Sequence, residues 1–313
     1  MTFTIKIKEE ISKIKSTKSE VIAELSAYIR NNGHIKDNVI TLSTENHFLL
    51  ERIKEEVNDM YDINAQEEII ENLNFSKNNL YQLTISEKVE TILKDLGIID
   101  EEGNHLDVVP KYIVGANEEI RAYIRGIFFA SGSINDPKKS RYHLEILSST
   151  PEEAVFVQKL LNIFELNAKI LSREKGYMIY IKEAEKISDF IKLLGANNAV
   201  MYYEDVRIYR DQKNKTNRLN NCEQANMDKV FETAAEQLKQ IEVIEKNDGI
   251  MLLDDRTKQT LEYRKKYPEA SLKELAEIIS LETGKNITKS GLNHRMRKIK
   301  ELSTRFEKMK TTE

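Results

Sequence analysis

The chain has a single cysteine, Cys222, and no apolar run approaching the roughly 18 residues that a membrane span needs. One cysteine excludes an internal disulfide framework and fits a reducing compartment. The opening MTFTIKIKEEISKIK alternates charged and apolar residues and lacks a continuous apolar core, so no secretory leader is expected and the chain is read as cytoplasmic. The five histidines (34, 47, 105, 143 and 294) are scattered and show no metal-ligand spacing with Cys222. Neither a Walker loop nor a dinucleotide fingerprint occurs. No cofactor, metal or small-molecule substrate is therefore expected, and no enzyme activity. Cys222 has no neighbour to activate it and reads as a structural thiol or a helix-entry residue.

At 313 residues the chain is long enough for two domains with real cores. A net charge of −4 argues against indiscriminate nucleic-acid binding, but the charge is unevenly placed. Residues 51–71 are rich in Glu and Asp, whereas Lys285 to Lys310 holds nine Lys/Arg against two Glu. Asymmetry of this kind suggests that one part of the chain meets an anionic partner, the alternative being a Lys-rich helix that is simply a solvated face.

The first two-thirds is duplicated. Glu24–Ile35 (ELSAYIRNNGHI) recurs as Tyr123–Ile134 (YIRGIFFASGSI), with Gly33 matching Gly132. Ile40–Ala65 matches Glu145–Ala168, and Leu80–Ile98 matches Gly176–Ala196, in the same order and offset by about a hundred residues. Periodicity predicts a helix (Ser19–Asn31; Glu118–Ala130) ending at a glycine suited to a C-cap. An extended pair follows (His34–Ser43; Ser133–Leu147), with turn chemistry at Lys36-Asp37-Asn38 and Asn135-Asp136-Pro137. A second helix opens after Ser43/Thr44 or at Thr150-Pro151. A second strand pair (Glu68–Leu73 with Leu80–Ile85; Ala168–Arg173 with Tyr177–Lys182) leads to a closing helix (Glu87–Leu96; Ala184–Leu194). The predicted order is αββαββα, twice.

The C-terminal block reads differently. Ser271 and Glu274 have the spacing of a capping box, and Leu272, Leu275, Ala276 and Ile279 make one apolar stripe of a helix of about nine residues. Ser280 to Ile287, with Gly284 and Asn286, reads as a rather long turn. A second helix is predicted over Lys289–Ser303. Its inward stripe is Leu292, Met296 and Ile299, within about 60° of one another at 100° per residue. Its outward arc is Ser290, Asn293, His294, Arg297, Lys298 and Lys300. Asn and Arg can bridge base edges, and Ser, His and Lys can reach phosphate or base acceptors, so the pattern is that of a recognition helix in a major groove. Ser271, Lys273, Lys289 and Arg295 complete the candidate DNA contacts. Gly291 costs up to about 1 kcal/mol near the helix start unless a phosphate backbone or a neighbouring helix must come close there.

Between these parts lies a basic, polar stretch, Arg207 to Arg218, in which Arg207, Arg210, Lys213, Lys215 and Arg218 read either as a phosphate-binding strip or as an exposed linker. A helix over Ala225–Glu245 follows, and Asn247-Asp248-Gly249 makes a break. The expected domains are residues 1–99, 100–206, 207–249 (linker and helix) and 250–313.

The duplicated topology, with motif helices Leu25 to Gly33 and Ile124 to Gly132, resembles the LAGLIDADG homing-endonuclease fold. In that family two motif helices pack on a pseudo-twofold axis, and an acid before each final glycine binds a divalent metal. The matching positions here are Asn32 and Ser131. Neither is anionic, so the hard oxygen ligands are missing; Asp37 and Asp136 read as turn residues rather than substitutes. The chain as a whole is similar to the WhiA family, on Arg121 to Gly126 through Gly132 to Pro137, Tyr142 to Glu145, Asn217-Arg218, Asn220 to Glu223, Tyr267 to Leu275 and Lys289 to Ile299. The resemblance implies an α+β duplicated domain with pseudo-twofold symmetry followed by an all-α helix-turn-helix domain. It also implies a nucleoid-associated regulator that binds double-stranded DNA, with roles in cell division, chromosome segregation and, in spore-forming relatives, sporulation. The alternative is a non-transcriptional adaptor of the division machinery, with a protein partner on the N-terminal domain.

Overall fold

The computed structural model describes residues 1–70 and 79–310, and the chain divides into two compact units, Met1–Arg210 and Asp211–Glu313. Residues 71–73 of the expected strand Glu68–Leu73 lie outside the described residues.

In the first unit the repeat has the expected order. The first copy is α2 (Lys18–Asn32), β1 (His34–Lys36), β2 (Val39–Thr44), α3 (His47–Tyr61), β3 (Gln66–Ile70), β4 (Leu80–Ile85) and α4 (Val89–Asp95), preceded by α1 (Phe3–Ile11). The second is α5 (Asn117–Ser131), β5 (Gly132–Ile134), β6 (Leu144–Ser148), α6 (Pro151–Ile163), β7 (Lys169–Arg173), β8 (Gly176–Ile181) and α7 (Ala184–Leu194). Each copy folds into one antiparallel sheet, ordered β1-β2-β4-β3 and β5-β6-β8-β7. Register follows from burying alternate residues on one face: Leu42 pairs with Leu83, and Ile146 with Ile179, all four fully buried.

Local chemistry explains the boundaries. Thr17 and Glu20 form a reciprocal capping box at the start of α2. Thr150 caps α6 from the Glu153 amide, with Pro151 at the first helical position. The β1–β2 hairpin turns on Asp37 and Asn38, both left-handed (φ 49° and 59°), as a two-residue loop matched to strand twist requires. Gly33 and Gly132 end their helices for a reason other than the one expected. Their backbone is extended (φ −79° and −81°), not left-handed, and a Cβ would stand 2.4 Å from the Ile29 carbonyl oxygen or 2.2 Å from the Phe128 ring. These glycines give room for a sharp helix-to-strand switch.

Helix α1 carries a legible signal, Phe3, Ile7 and Ile11 spaced four apart and all buried, yet it does not belong to the αββαββα pattern. It packs on the second copy. Thr4 Oγ1 donates to the Ile134 carbonyl at 2.9 Å and accepts from the Ile134 amide at 3.0 Å, and the buried Lys8 ammonium donates to the Phe129 carbonyl at 3.0 Å.

The stretch expected as a linker is helical. Helix α8 runs unbroken over Asn197–Lys246, so Arg207 to Arg218 and the helix expected at Ala225–Glu245 are one element. Its start is capped by α1, where the Glu10 carboxylate accepts the Asn198 and Ala199 amides at 2.7 and 3.0 Å. After a short 3-10 turn at Gly249–Leu252 come α9 (Asp255–Lys266), α10 (Leu272–Thr283) and α11 (Lys289–Lys310). The core of the second unit joins Ile241 and Ile244 of α8 to Leu261, Leu275, Ile279, Leu292, Met296 and Ile299.

Candidate nucleic-acid interface

Helix α10 begins as its sequence indicates: Ser271 Oγ accepts the Glu274 amide at 3.2 Å while the Glu274 carboxylate accepts the Ser271 amide at 2.8 Å. It runs twelve residues and stops at Gly284 (φ 70°), in the left-handed conformation that glycine adopts without strain. The connection to α11 is therefore only residues 284–288, shorter than the expected Ser280–Ile287 turn. Ser280 Oγ closes this loop by accepting the Ile287 amide at 2.9 Å.

A third helix, α9, supports the pair, and sequence reasoning missed it. Its N-cap is Asp254, whose carboxylate accepts the Thr257 amide at 2.9 Å. Two clasps tie it to α10. Glu282 accepts from the hydroxyls of Tyr263 and Tyr267, each at 2.8 Å, and from Lys266 at 3.1 Å; these donors hold its carboxyl below the usual range, Tyr263 foremost. Arg264, fully buried, donates to the carbonyls of Ala270 (2.6 Å) and Tyr267 (3.3 Å), bracing the corner between helices. The aspartate pair at 254–255 and the cationic last turn at 264–266 were its readable helix-end signals.

Helix α11 then divides cleanly. Leu292, Met296 and Ile299 are buried, and Lys289, Ser290, Asn293, His294 and Arg297 are exposed without a hydrogen bond or ion pair among the described residues. The other candidates are placed differently. Arg295 is half-buried and donates to Thr260 Oγ1 at 3.2 Å and the Arg256 carbonyl at 3.3 Å, so it fastens α11 to α9. Lys298 pairs with Asp254 at 2.9 Å, holding that carboxyl well below its ordinary value, and Lys300 pairs with Glu236 at 2.9 Å. Both pairs are about half exposed, where such contacts contribute little and exchange readily for another anion. Ser271 uses its hydroxyl for capping, and the exposed Lys273 lies 3.9 Å from Glu277. A Cβ on Gly291 would meet Thr288 Oγ1 at 3.4 Å, an ordinary van der Waals contact, and the same hydroxyl accepts the Gly291 amide at 3.1 Å. Packing within the chain does not explain that glycine.

In the first unit, Asn32 and Ser131 end the two motif helices, and both are spent on structure. Asn32 Nδ2 donates to the Tyr28 hydroxyl at 2.7 Å and the Ser43 carbonyl at 3.1 Å; Ser131 Oγ donates to the Leu147 carbonyl at 2.7 Å. Asp136 is a turn residue, accepting the Lys138 amide at 2.9 Å.

The basic strip of α8 is shorter than its sequence indicates. Arg207 is held by Glu204 at 2.8 Å and Glu185 at 3.0 Å. Arg210 donates to the Pro137 and Ser140 carbonyls and lies over the Tyr142 ring. Lys213, Lys215 and Arg218 are exposed without such partners among the described residues. Cys222 is exposed in mid-helix, neither a structural thiol nor a helix-entry residue. Among the described residues no helix is long and apolar enough to cross a membrane.

Three family models match the chain: the WhiA N-terminal LAGLIDADG-like domain over residues 18–99, the WhiA LAGLIDADG-like domain over 120–213, and the WhiA C-terminal HTH domain over 216–303. A relative from Enterococcus faecalis, named "Probable cell division protein WhiA", is 40% identical over 313 residues, covering 98% of each chain. A Staphylococcus aureus relative of the same name is 40% identical over 310 residues, again covering 98% of each. The crystal structure of full-length DUF199/WhiA from Thermatoga maritima shares the fold, with a TM-score of 0.60 at 24% identity over 98% of this chain and 99% of that one. With two LAGLIDADG-like copies followed by a helix-turn-helix domain, the chain belongs to the WhiA family.

Proposed function

We propose that this protein is a duplex-DNA-binding transcription regulator of cell division and chromosome segregation, acting without nuclease activity, and that spore-forming relatives use the same machinery in sporulation. The observation that carries the reading is the division of α11. One face is locked into the core by Leu292, Met296 and Ile299, and the other offers Ser290, Asn293, His294 and Arg297 with no competing partner among the described residues. A helix fixed in this way presents side chains in a constant register, which base readout needs.

Asn293 and Arg297 supply discrimination through paired contacts to base edges; Lys289, Lys298 and Lys300 supply salt-dependent affinity, the last two after exchanging a carboxylate for a phosphate. Gly291 lets a phosphate approach the first turn of α11, where the positive end of the helix dipole favours an anion. Asn32 and Ser131, neutral and hydrogen-bonded, leave the older hydrolytic position without its acids. The names of the relatives support the link to cell division.

Genome-wide mapping of binding by the full-length protein and its Arg297→Ala variant tests the proposal. Discrete sites that depend on Arg297 support it. Absence of discrete sites, or division defects rescued by a protein lacking residues 250–313, favours the adaptor reading instead. Magnesium-dependent nicking of plasmid by the pure protein contradicts the non-nuclease part.

A further inference from the structure

We propose that residues 213–221 of α8 form a second surface that reads duplex DNA in the major groove, separate from α11. Residues 211–229 are exposed without exception, and their side-chain bonds among the described residues are local to the helix, such as Thr216 Oγ1 to the Gln212 carbonyl at 3.0 Å. A helical stretch that buries nothing draws no stability from packing, and an isolated helix in water is marginal even with good helix formers. These are not good helix formers. Asn214, Thr216, Asn217, Asn220 and Asn221 all rank low, because their side chains compete for the backbone. Residues chosen neither for packing nor for helix strength owe their identity to something outside the chain.

Their placement indicates what that is. At about 100° per residue, Asn214, Asn217, Arg218 and Asn221 fall within roughly 100° of one another, with Lys213 and Lys215 at the two edges of the arc. None of the six has a hydrogen bond or ion pair among the described residues. Amide side chains can bridge adenine N6 and N7, a guanidinium can bridge guanine O6 and N7, and flanking ammonium groups meet the two phosphate walls. From Asn214 to Asn221 the helix rises about 10.5 Å, the length of roughly three base-pair steps. A protein partner fits less well. Protein hot spots are enriched in Trp, Tyr and Arg, whereas five of these six residues are Asn or Lys, and the exposed Leu219 and Met227 point away from this arc. Within 211–221 three cations stand against the single acid Asp211, which favours a polyanion.

The proposal rests on duplex binding by the chain but not on α11 being its only reader. The test uses the full-length protein and 30-base-pair duplexes selected from a random pool by the wild type, with affinity read by fluorescence anisotropy from 50 to 200 mM KCl. Lys213→Gln/Lys215→Gln is expected to lower the slope of log affinity against log salt by about 1.8, so that affinity falls about twelve-fold less over that range. Asn217→Ala/Asn221→Ala is expected to keep the salt slope and, on reselection, to lose base preference at adjacent positions. Amides of residues 211–224 are expected to exchange more slowly once DNA is added. The Arg297→Ala variant separates the two surfaces, since it is expected to relax preference elsewhere in the site. Wild-type slope, motif and exchange in both α8 variants, with Arg297→Ala alone altering the motif, overturns the proposal and leaves α11 as reader. No duplex binding by the wild type at 50 mM KCl overturns this proposal and the functional reading together.

Discussion

Gly126 of α5 lies against Glu24 of α2 so closely that a Cβ on the glycine would stand 2.3 Å from the Glu24 carbonyl oxygen. This contact marks the pseudo-twofold axis, where the two motif helices cross and Ala27, the residue matching Gly126 in the first copy, faces it at 2.9 Å. Gly126→Ala gains about 1 kcal/mol of helix propensity but forces two backbones apart, so a net loss of about 2 kcal/mol is expected. Urea melts followed by far-UV circular dichroism read it. A variant as stable as the wild type would show that the crossing relaxes freely.

Beside that crossing the Glu24 carboxylate, fully buried, accepts from Arg125 and from Arg52 Nε at 2.6 Å, and Arg52 also reaches Glu56 at 2.9 Å. Burial, and then the charge of Glu24, push the Glu56 carboxyl up to about 8. The folded protein therefore holds a proton on Glu56 that the unfolded chain has released above about pH 4.5, so this group's contribution to stability falls as pH rises from about 4.5 to 8. Glu56→Gln keeps the shape without the ionisation. It is expected to be more stable than the wild type at pH 8.5, by on the order of 3 kcal/mol, and equal to it below pH 4.5. A constant difference across that range would assign the effect to packing.

The repeats were legible because burial in a two-layer α+β unit imposes periods of 3.6 and 2 on the sequence, and two copies let each element check the other. Helix α1 was missed although Phe3, Ile7 and Ile11 announce it, because it has no counterpart in the second copy. The exposed part of α8 was read as linker because it buries nothing, which removes the apolar stripe that periodicity detects. Sequence placed Asn293, His294 and Arg297 on the outer face of α11, since Leu292, Met296 and Ile299 fix the opposite one. It did not show that Arg295 would turn back to Thr260, nor that Lys298 and Lys300 would find Asp254 and Glu236. Those partners lie 35 to 64 residues away, and tertiary contacts at such separation leave no local pattern.

On α11 the two faces are expected to respond oppositely to truncation. Arg297→Ala breaks no hydrogen bond or ion pair among the described residues, so the melting temperature should stay unchanged while specific DNA binding weakens by about 1–3 kcal/mol. Leu292→Ala empties a fully buried position and should cost about 2–5 kcal/mol of stability, with binding lost only through unfolding. Anisotropy titrations beside thermal melts distinguish the two. Unaltered affinity of Arg297→Ala for a selected duplex would remove it from the interface.

Asn32 and Ser131, which the resemblance matches to metal-binding acids, are expected to resist replacement by aspartate. Asn32 donates to the Ser43 carbonyl and Ser131 to the Leu147 carbonyl, and a carboxylate in either place is an acceptor facing an acceptor. Asn32→Asp and Ser131→Asp should each lose about 1–3 kcal/mol of stability in EDTA, read by urea melts. Each residue lies five positions beyond the crossing of α2 and α5, about 7.5 Å along its own helix. Mutual repulsion of the two new carboxylates would make the double variant lose more than the sum of the singles. Magnesium should return part of that excess in the double variant and nothing in either single one. Single variants as stable as the wild type would mean that Asn32 and Ser131 do not tie the motif helices to their sheets.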